Sequence, residues 1–142
     1  MDALIIPETN GVFTELGLSR DTGDLIGAVK KGLPIAIFGA LAETLNISEA
    51  QLARVTGISP TSLTRRKRSG MLTQDEGEHV LRIAALLDKA TALFEDVETA
   101  SDWLKTSNPS LGDATPLSYA DTELGGREVE NLLGRIEYGV YS

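Results

Sequence analysis

Four consecutive basic side chains, Arg65–Arg68, lie in the stretch ISPTSLTRRKRSG of a chain whose formal net charge is −8. The stretch contains no acidic residue. Basic side chains bind phosphate oxygens, while Arg, Ser and Thr can also contact base edges. We therefore predict a DNA contact formed by Ser59, Thr61, Ser62, Thr64, Arg65, Arg66, Lys67 and Arg68. The alternative is a solvated basic helix end that complements its own helix dipole.

The residues around this basic run have the spacing of a helix-turn-helix unit. Such a unit needs a small residue where its helices cross, here Ala53, and a glycine at the turn, here Gly57, because the backbone there adopts a positive φ. Apolar residues flank the turn at Leu52, Ile58 and Leu63. Ser59 can cap the second helix, and Pro60 is tolerated at its first position. One position departs from the pattern, since the residue three after Leu63 is normally apolar but is Arg66.

The charge on one such unit is small, so we expect a homodimer that reads a two-fold operator. If all four basic residues in both subunits neutralised phosphates, the log-log salt slope of DNA binding would approach roughly −7, at about −0.9 per contact.

Apolar periodicity and capping residues predict an all-α fold. We expect helices from about Asp21 to Gly32, over 34–45, 48–55, 60–68 and 74–94, then a short helix after Phe94 that ends at Asn108-Pro109, a helical turn that begins at Pro116, and a last helix in GGREVENLLGRIEYG, residues 125–139. Residues 1–20 lack a sustained period and are predicted to form a flexible arm, with an edge strand as the alternative. The helix-turn-helix domain is predicted at 21–72 and a helical dimerisation domain at 73–142.

The predicted long helix is apolar around much of its circumference. One stripe consists of Val80, Ile83, Leu87, Ala90 and Phe94, and Leu81, Ala85, Leu86 and Leu93 widen it. Such a helix needs two packing neighbours, supplied either within one subunit or by a second copy of the chain.

The sequence offers no set of residues for catalysis, a metal or a cofactor. It has no cysteine and one histidine, His79, which we expect to be exposed. The acidic group at 95–98 points in several directions on a helix, with Asp96 as an N-cap. Gly125 and Gly126 precede an acidic helix, which disfavours a phosphate cradle, and Trp103 is predicted to be a core anchor. We predict a protein that is not an enzyme.

Two features bear on location in the cell. The first residues, MDALIIPETN, lack the basic and hydrophobic regions of a secretory signal. The longest apolar run, LPIAIFGALA, is interrupted by Pro34 and Gly39 and is too short to span a membrane. We expect a cytoplasmic protein without a membrane partner.

The second half of the chain carries a series of short motifs. They are A-x-x-L-F-x-D at 90–96, A-x-x-W-L at 100–104, N-P-x-L-G at 108–112, T-P-L at 115–117 and GREVENLLGRIEYGV at 126–140. With them the chain resembles the Xre/MbcA/ParS antitoxin family over about residues 33–142. The resemblance implies an N-terminal Xre-like helix-turn-helix bundle followed by a helical toxin-binding region, which places toxin binding in residues 73–142.

The resemblance further implies a type II toxin–antitoxin module. Its toxin would be a RES-domain protein that consumes NAD, and the antitoxin would cover the toxin's active site and repress the shared operon. We expect toxin contacts along the last helix and the C-terminus, at Glu130, Leu133, Arg135, Tyr138, Gly139, Val140, Tyr141 and Ser142. Residues 88–142 have a net charge of −7, which suits a basic toxin cleft.

Two other functions fit parts of the sequence. An autonomous dimeric helix-turn-helix repressor without a toxin would explain the basic run and the apolar long helix, but not the acidic C-terminal half. A protein-interaction adaptor whose helix-turn-helix no longer contacts DNA would show DNA binding that is absent or insensitive to salt.

Overall fold

In a computed structural model, residues 11–139 are described, and they form a bundle of helices joined by short turns. The helices are α1 Val12–Leu16, α2 Thr22–Lys31, α3 Ile35–Leu45, α4 Glu49–Thr56, α5 Pro60–Ser69, α6 Gln74–Phe94, α7 Val97–Leu104, α8 Pro116–Tyr119 and α9 Glu123–Tyr138, with a 3-10 turn at Pro109–Leu111. Between residues 11 and 139 there is no β-strand, only an isolated bridge between Pro34 and Met71. The all-α prediction is confirmed.

Side-chain caps explain where most helices begin. Hydroxyl or carboxylate side chains accept a hydrogen bond from the first turn at Asp21, Ser48, Ser59, Thr73, Asp96, Thr115 and Thr122. Each cap satisfies a backbone N–H that has no partner within its helix. At Thr73 the cap is reciprocal, because the Glu76 carboxylate accepts a hydrogen bond from the Thr73 backbone N–H. The predicted caps at Ser59 and Asp96 are therefore confirmed, and the helix expected from about Asp21 has Asp21 as its cap.

The long helix α6 lies at the centre of the bundle. It packs against α1, α2, α3 and α4 and also against α7 and α9. Val80, Leu87 and Ala90 are fully buried. The buried residues of both halves of the chain form one hydrophobic core. The packing that this helix requires is thus supplied within one subunit, and the predicted domains at 21–72 and 73–142 share their core.

The N-terminal segment corrects one prediction. Residues 11–20, assigned to a flexible arm, contain helix α1, and Val12, Phe13 and Leu16 are buried in the core. The Asp88 carboxylate of α6 also accepts hydrogen bonds from the Val12 backbone N–H at 3.2 Å and from Arg20 at 2.9 Å. A five-residue helix gives too little periodicity to recognise, and its order comes from this tertiary packing. Residues 1–10 of the predicted arm lie outside the described residues.

Candidate functional site

The DNA-contact residues predicted on α5 divide between two faces of the helix. Thr61, Thr64, Arg65 and Arg68 are exposed. At about 100° per residue they lie within one half of the helix circumference, opposite Leu63, which is partly buried against the core. We call these four residues the outer face. They can meet a flat or grooved surface together.

The hydroxyls of the two serines at the start of α5 already accept hydrogen bonds within the chain. The Ser59 hydroxyl accepts a 3.1 Å hydrogen bond from the Ser62 backbone N–H. The Ser62 hydroxyl accepts a 3.3 Å hydrogen bond from the Arg65 guanidinium. Ser62 therefore orients Arg65, and the predicted DNA contacts of Ser59 and Ser62 compete with these roles.

Arg66 points the other way, toward α6. Its Nε donates a 2.8 Å hydrogen bond to Oε1 of Glu76, and the two side chains are only 20% and 13% exposed. The same Glu76 oxygen accepts a 2.9 Å hydrogen bond from the Thr73 backbone N–H. The prediction that Arg66 contacts a phosphate is corrected, since in this structure its charge is matched within the chain.

Hydrogen bonding fixes the protonation of this pair. The hydrogen bond to Glu76 raises the pKa of Arg66 above its already high value. Burial alone would raise the pKa of the Glu76 carboxyl, but hydrogen bonds from Arg66 and Thr73 and the charge of Arg66 outweigh it and lower that pKa. Both groups are charged at neutral pH.

Lys67 also has an acidic neighbour. Its ammonium lies 2.6 Å from a carboxylate oxygen of Glu49, the first residue of α4, and the side chains are 55% and 39% exposed. A pair this exposed contributes little because water and salt screen it. Lys67 can therefore exchange Glu49 for a phosphate at small cost, which Arg66 cannot do with Glu76.

The predicted toxin-contact residues lie mainly on the solvent face of α9. Glu130, Arg135 and Tyr138 line a shallow open groove together with Lys89, Asn131 and Gly134. Tyr138 is 78% exposed, which is high for a large aromatic side chain. Gly139, also exposed, ends the helix with φ of 69°. The groove presents an aromatic ring beside charges of both signs.

Leu133 is the exception among these residues. It is completely buried, together with Val129 and Leu132 on the same face of α9. Its predicted toxin contact is therefore wrong for the folded chain, because the face that packs on α6 cannot also meet a partner. The predicted contacts at Val140, Tyr141 and Ser142 lie outside the described residues.

A second exposed surface on the C-terminal half was missed by the sequence reasoning. Leu124 is 70% exposed and Tyr119 is 37% exposed, and they line a groove with the acidic residues Asp121 and Glu128. One signal could have revealed it. Leu124 does not fall on the apolar stripe of α9, so a leucine there cannot pack with the rest of the helix.

Two other residues, His79 and Trp103, have structural roles. His79 is half-buried, and its Nδ1 lies 2.9 Å from the backbone oxygen of Thr56, so the expectation of an exposed histidine is wrong. Trp103 is partly buried against the core, with its ring centroid 5.9 Å from that of Phe94.

Among residues 11–139 no cluster of metal-ligating side chains is found. No helix in the same range is long and apolar enough to cross a membrane.

Two family models match this chain. The family model described as the antitoxin Xre-like helix-turn-helix domain matches residues 24–85, and that of the antitoxin Xre/MbcA/ParS C-terminal toxin-binding domain matches residues 89–139. A protein of Yersinia enterocolitica named antitoxin Xre is 35% identical over 138 residues, which cover 95% of this chain and 93% of the relative.

The chain belongs to the Xre antitoxin family. An antitoxin Xre of Photorhabdus laumondii is 33% identical with the same coverage of both chains. One of Pseudomonas putida is 30% identical over 79 residues, which cover 56% of this chain and 50% of the relative.

The two domains of this Xre-family chain meet within one helix. The helix-turn-helix match ends at residue 85 and the toxin-binding match begins at residue 89, both inside α6. The outer face of α5 belongs to the first domain, and the groove at Tyr138 belongs to the second. Helix α6 therefore spans the boundary between the two domains.

Proposed function

We propose that this antitoxin neutralises its toxin through the solvent face of α9 and the C-terminus that follows. The contact residues are Glu130, Arg135, Tyr138, Gly139, Val140, Tyr141 and Ser142. The observation that carries the proposal is the match of residues 89–139 to a toxin-binding domain, in which Tyr138 is 78% exposed at the end of a helix whose opposite face is buried. An exposed tyrosine beside Arg135 is the kind of residue that anchors protein interfaces.

The toxin in this proposal is a RES-domain protein that degrades NAD. An enzyme that binds a phosphorylated dinucleotide needs a basic cleft, and the net charge of −7 over residues 88–142 complements such a cleft. The antitoxin acts by occupying the cleft, so it needs no catalytic residue, metal or cofactor of its own. We place this complex in the cytoplasm.

The same chain represses its own operon in this proposal, through the outer face of α5. Arg65 and Arg68 bind phosphates, and Thr61 and Thr64 lie beside them for contacts to base edges. A homodimer in the complex presents two such faces to a two-fold operator. An autonomous repressor without a toxin would leave the toxin-binding domain match at residues 89–139 without a use.

Co-expression with the adjacent reading frame tests the toxin part of the proposal. With an affinity tag on the antitoxin alone, we expect the neighbouring protein to co-purify and its toxicity to be suppressed. Y138A and a deletion of residues 139–142 should weaken both effects. Glu98→Ala is the matched control, since Glu98 is exposed on α7.

Each result bears on a different part of the proposal. Full suppression of toxicity by the deletion variant would show that residues 139–142 are not needed for the interface with the toxin. A neighbour that neither co-purifies nor is toxic would exclude the toxin function and leave the DNA-binding function.

A further inference from the structure

Helix α5 is attached to the bundle with little apolar burial. None of its residues is buried, and Leu63 is only partly covered. Its C-terminal end is held by the backbone, since the Ile35 N–H donates a 2.9 Å hydrogen bond to the oxygen of Gly70, which follows the helix. The position where an apolar residue normally fixes the second helix of the unit is occupied by Arg66. A different interaction must set the orientation of α5.

The ion pair between Arg66 and Glu76 is built to do this. The Glu76 side chain is held in place independently of Arg66 by the capping box. Its carboxylate accepts a hydrogen bond from the Thr73 backbone N–H, and its own backbone N–H donates one to the Thr73 hydroxyl. Both side chains are largely shielded from water. Shielding from water strengthens a charge-assisted hydrogen bond, and a fixed acceptor reduces the entropy lost when it forms. The pair therefore joins α5 rigidly to the N-terminus of α6.

We propose that Arg66 and Glu76 are positioning residues for DNA recognition, which hold α5 so that Arg65 and Arg68 face the duplex. Neither residue of the pair contacts DNA. This inference rests on the proposed DNA-binding function and adds to it an acidic residue of α6. It also explains why an arginine can replace the usual apolar residue without loss of the unit.

The proposal predicts an effect opposite in sign to simple electrostatics. Removing a negative charge near a DNA-binding surface normally strengthens binding to a polyanion. The variant E76Q should instead bind DNA about tenfold more weakly, because glutamine can still accept the Arg66 hydrogen bond but lacks the negative charge that strengthens it. E49Q is the matched control. It removes a similar charge from the exposed pair with Lys67 and should bind DNA equally well or more tightly.

The measurement uses the full chain and a fluorescein-labelled duplex with the sequence immediately upstream of its own coding region. Affinities at several salt concentrations are compared for the wild type, E76Q, E49Q, R66A, R66L and R65A. R66A should bind weakly. R66L should bind like the wild type with an unchanged salt slope, because leucine restores apolar packing and no phosphate contact is lost. R65A should weaken binding and reduce the salt slope.

Amide hydrogen exchange over residues 62–69 gives a readout that does not depend on DNA. E76Q and R66A should raise the exchange rates in α5 by about tenfold, because the interaction is weakened in the first and lost in the second, while R65A and R66L leave them unchanged. If the wild type bound no DNA, the proposed DNA function would fail and the exchange rates would still decide the role of the pair. Unchanged exchange in E76Q, or a salt slope in R66L reduced as in R65A, would overturn the inference.

Discussion

The hydroxyl of Ser101 donates a 2.8 Å hydrogen bond to the backbone oxygen of Leu45. Ser101 lies on α7 in the toxin-binding domain, and Leu45 is the last residue of α3 in the helix-turn-helix domain. Both residues are buried, and a carbonyl at a helix C-terminus has no partner within its own helix. The two domains are thus joined by a specific polar contact as well as by their shared core.

Replacing Ser101 with alanine should reduce stability. The Leu45 carbonyl would be left buried and unpaired, which costs about 1–3 kcal/mol in the free energy of unfolding. Urea denaturation of S101A against the wild type measures this loss. The control is S107A, at an exposed position, which should change stability by less than about 0.5 kcal/mol. Equal losses in the two variants would contradict a specific role for Ser101.

Gly125 and Gly134 of α9 should respond in opposite directions to alanine. A Cβ at Gly125 would overlap the backbone oxygen of Tyr119, whereas a Cβ at Gly134 meets nothing within 4 Å. We expect G125A to lose about 1–3 kcal/mol through overpacking. G134A should gain up to about 1 kcal/mol because alanine favours the helix. Thermal unfolding of both variants checks the prediction, and a neutral G125A would show that α8 does not approach α9 this closely.

Helix α1 should behave as part of the core. The Phe13 side chain is 8% exposed, so F13A should lower the free energy of unfolding by about 3–5 kcal/mol. The neighbouring residue Glu15 is exposed, and E15A should have little effect. Chemical denaturation compares the two variants. If F13A were as stable as E15A, Phe13 would not be part of the core, and the prediction of a flexible arm would be right for this segment.

The sequence predicted most helix boundaries because local chemistry sets them. The predicted helix from residue 74 to residue 94 matches α6, Gln74–Phe94, since a capping box starts this helix and its apolar stripe is long. The turn at Gly57 was predicted from its glycine and has the expected positive φ of 73°. Signals of this kind are contained in a few neighbouring residues, so they do not depend on the rest of the fold.

The predictions that failed all depended on contacts between distant residues. The burial of α1 depends on α6, which lies more than 60 residues later in the sequence. The pairing of Arg66 with Glu76 required the angle between α5 and α6, and no pattern within α5 contains that angle. For Leu133, the sequence showed an apolar stripe but could not show whether that face packed inside the subunit or met a partner. The structure supplied this missing information.

The Arg66–Glu76 pair should make stability sensitive to acid. The pKa of Glu76 in the folded chain lies below its ordinary value of 4.5, and Arg66 is its charged partner across the contact. Its stabilising effect is therefore complete above about pH 4.5 and is lost as the pH falls through the folded-state pKa. The difference in unfolding free energy between the wild type and E76Q should be constant near neutral pH and shrink in acid.

Urea denaturation of both proteins between about pH 3 and pH 7 measures that difference, and subtracting the E76Q values removes the contributions of the other carboxylates. A difference that stayed constant down to the lowest pH would mean that the Glu76 carboxylate is not stabilised by Arg66.

The salt dependence of DNA binding should report how many basic residues reach phosphates. If only Arg65 and Arg68 of each subunit in a dimer do so, the four contacts give a log-log slope of roughly −3.6, at about −0.9 per contact. The slope of roughly −7 expected from the whole basic run would require Arg66 and Lys67 to leave Glu76 and Glu49. Fluorescence anisotropy between low and moderate salt distinguishes the two values.

The R68A variant separates the contributions further. It should reduce the magnitude of the slope by about 1.8, because each subunit loses one phosphate contact. K67A should change the slope much less, since Lys67 is not part of the outer face and its ammonium points toward Glu49 of α4. If K67A and R68A reduced the slope equally, Lys67 would have to exchange Glu49 for a phosphate in the complex. The DNA-binding surface would then extend from the outer face of α5 toward α4.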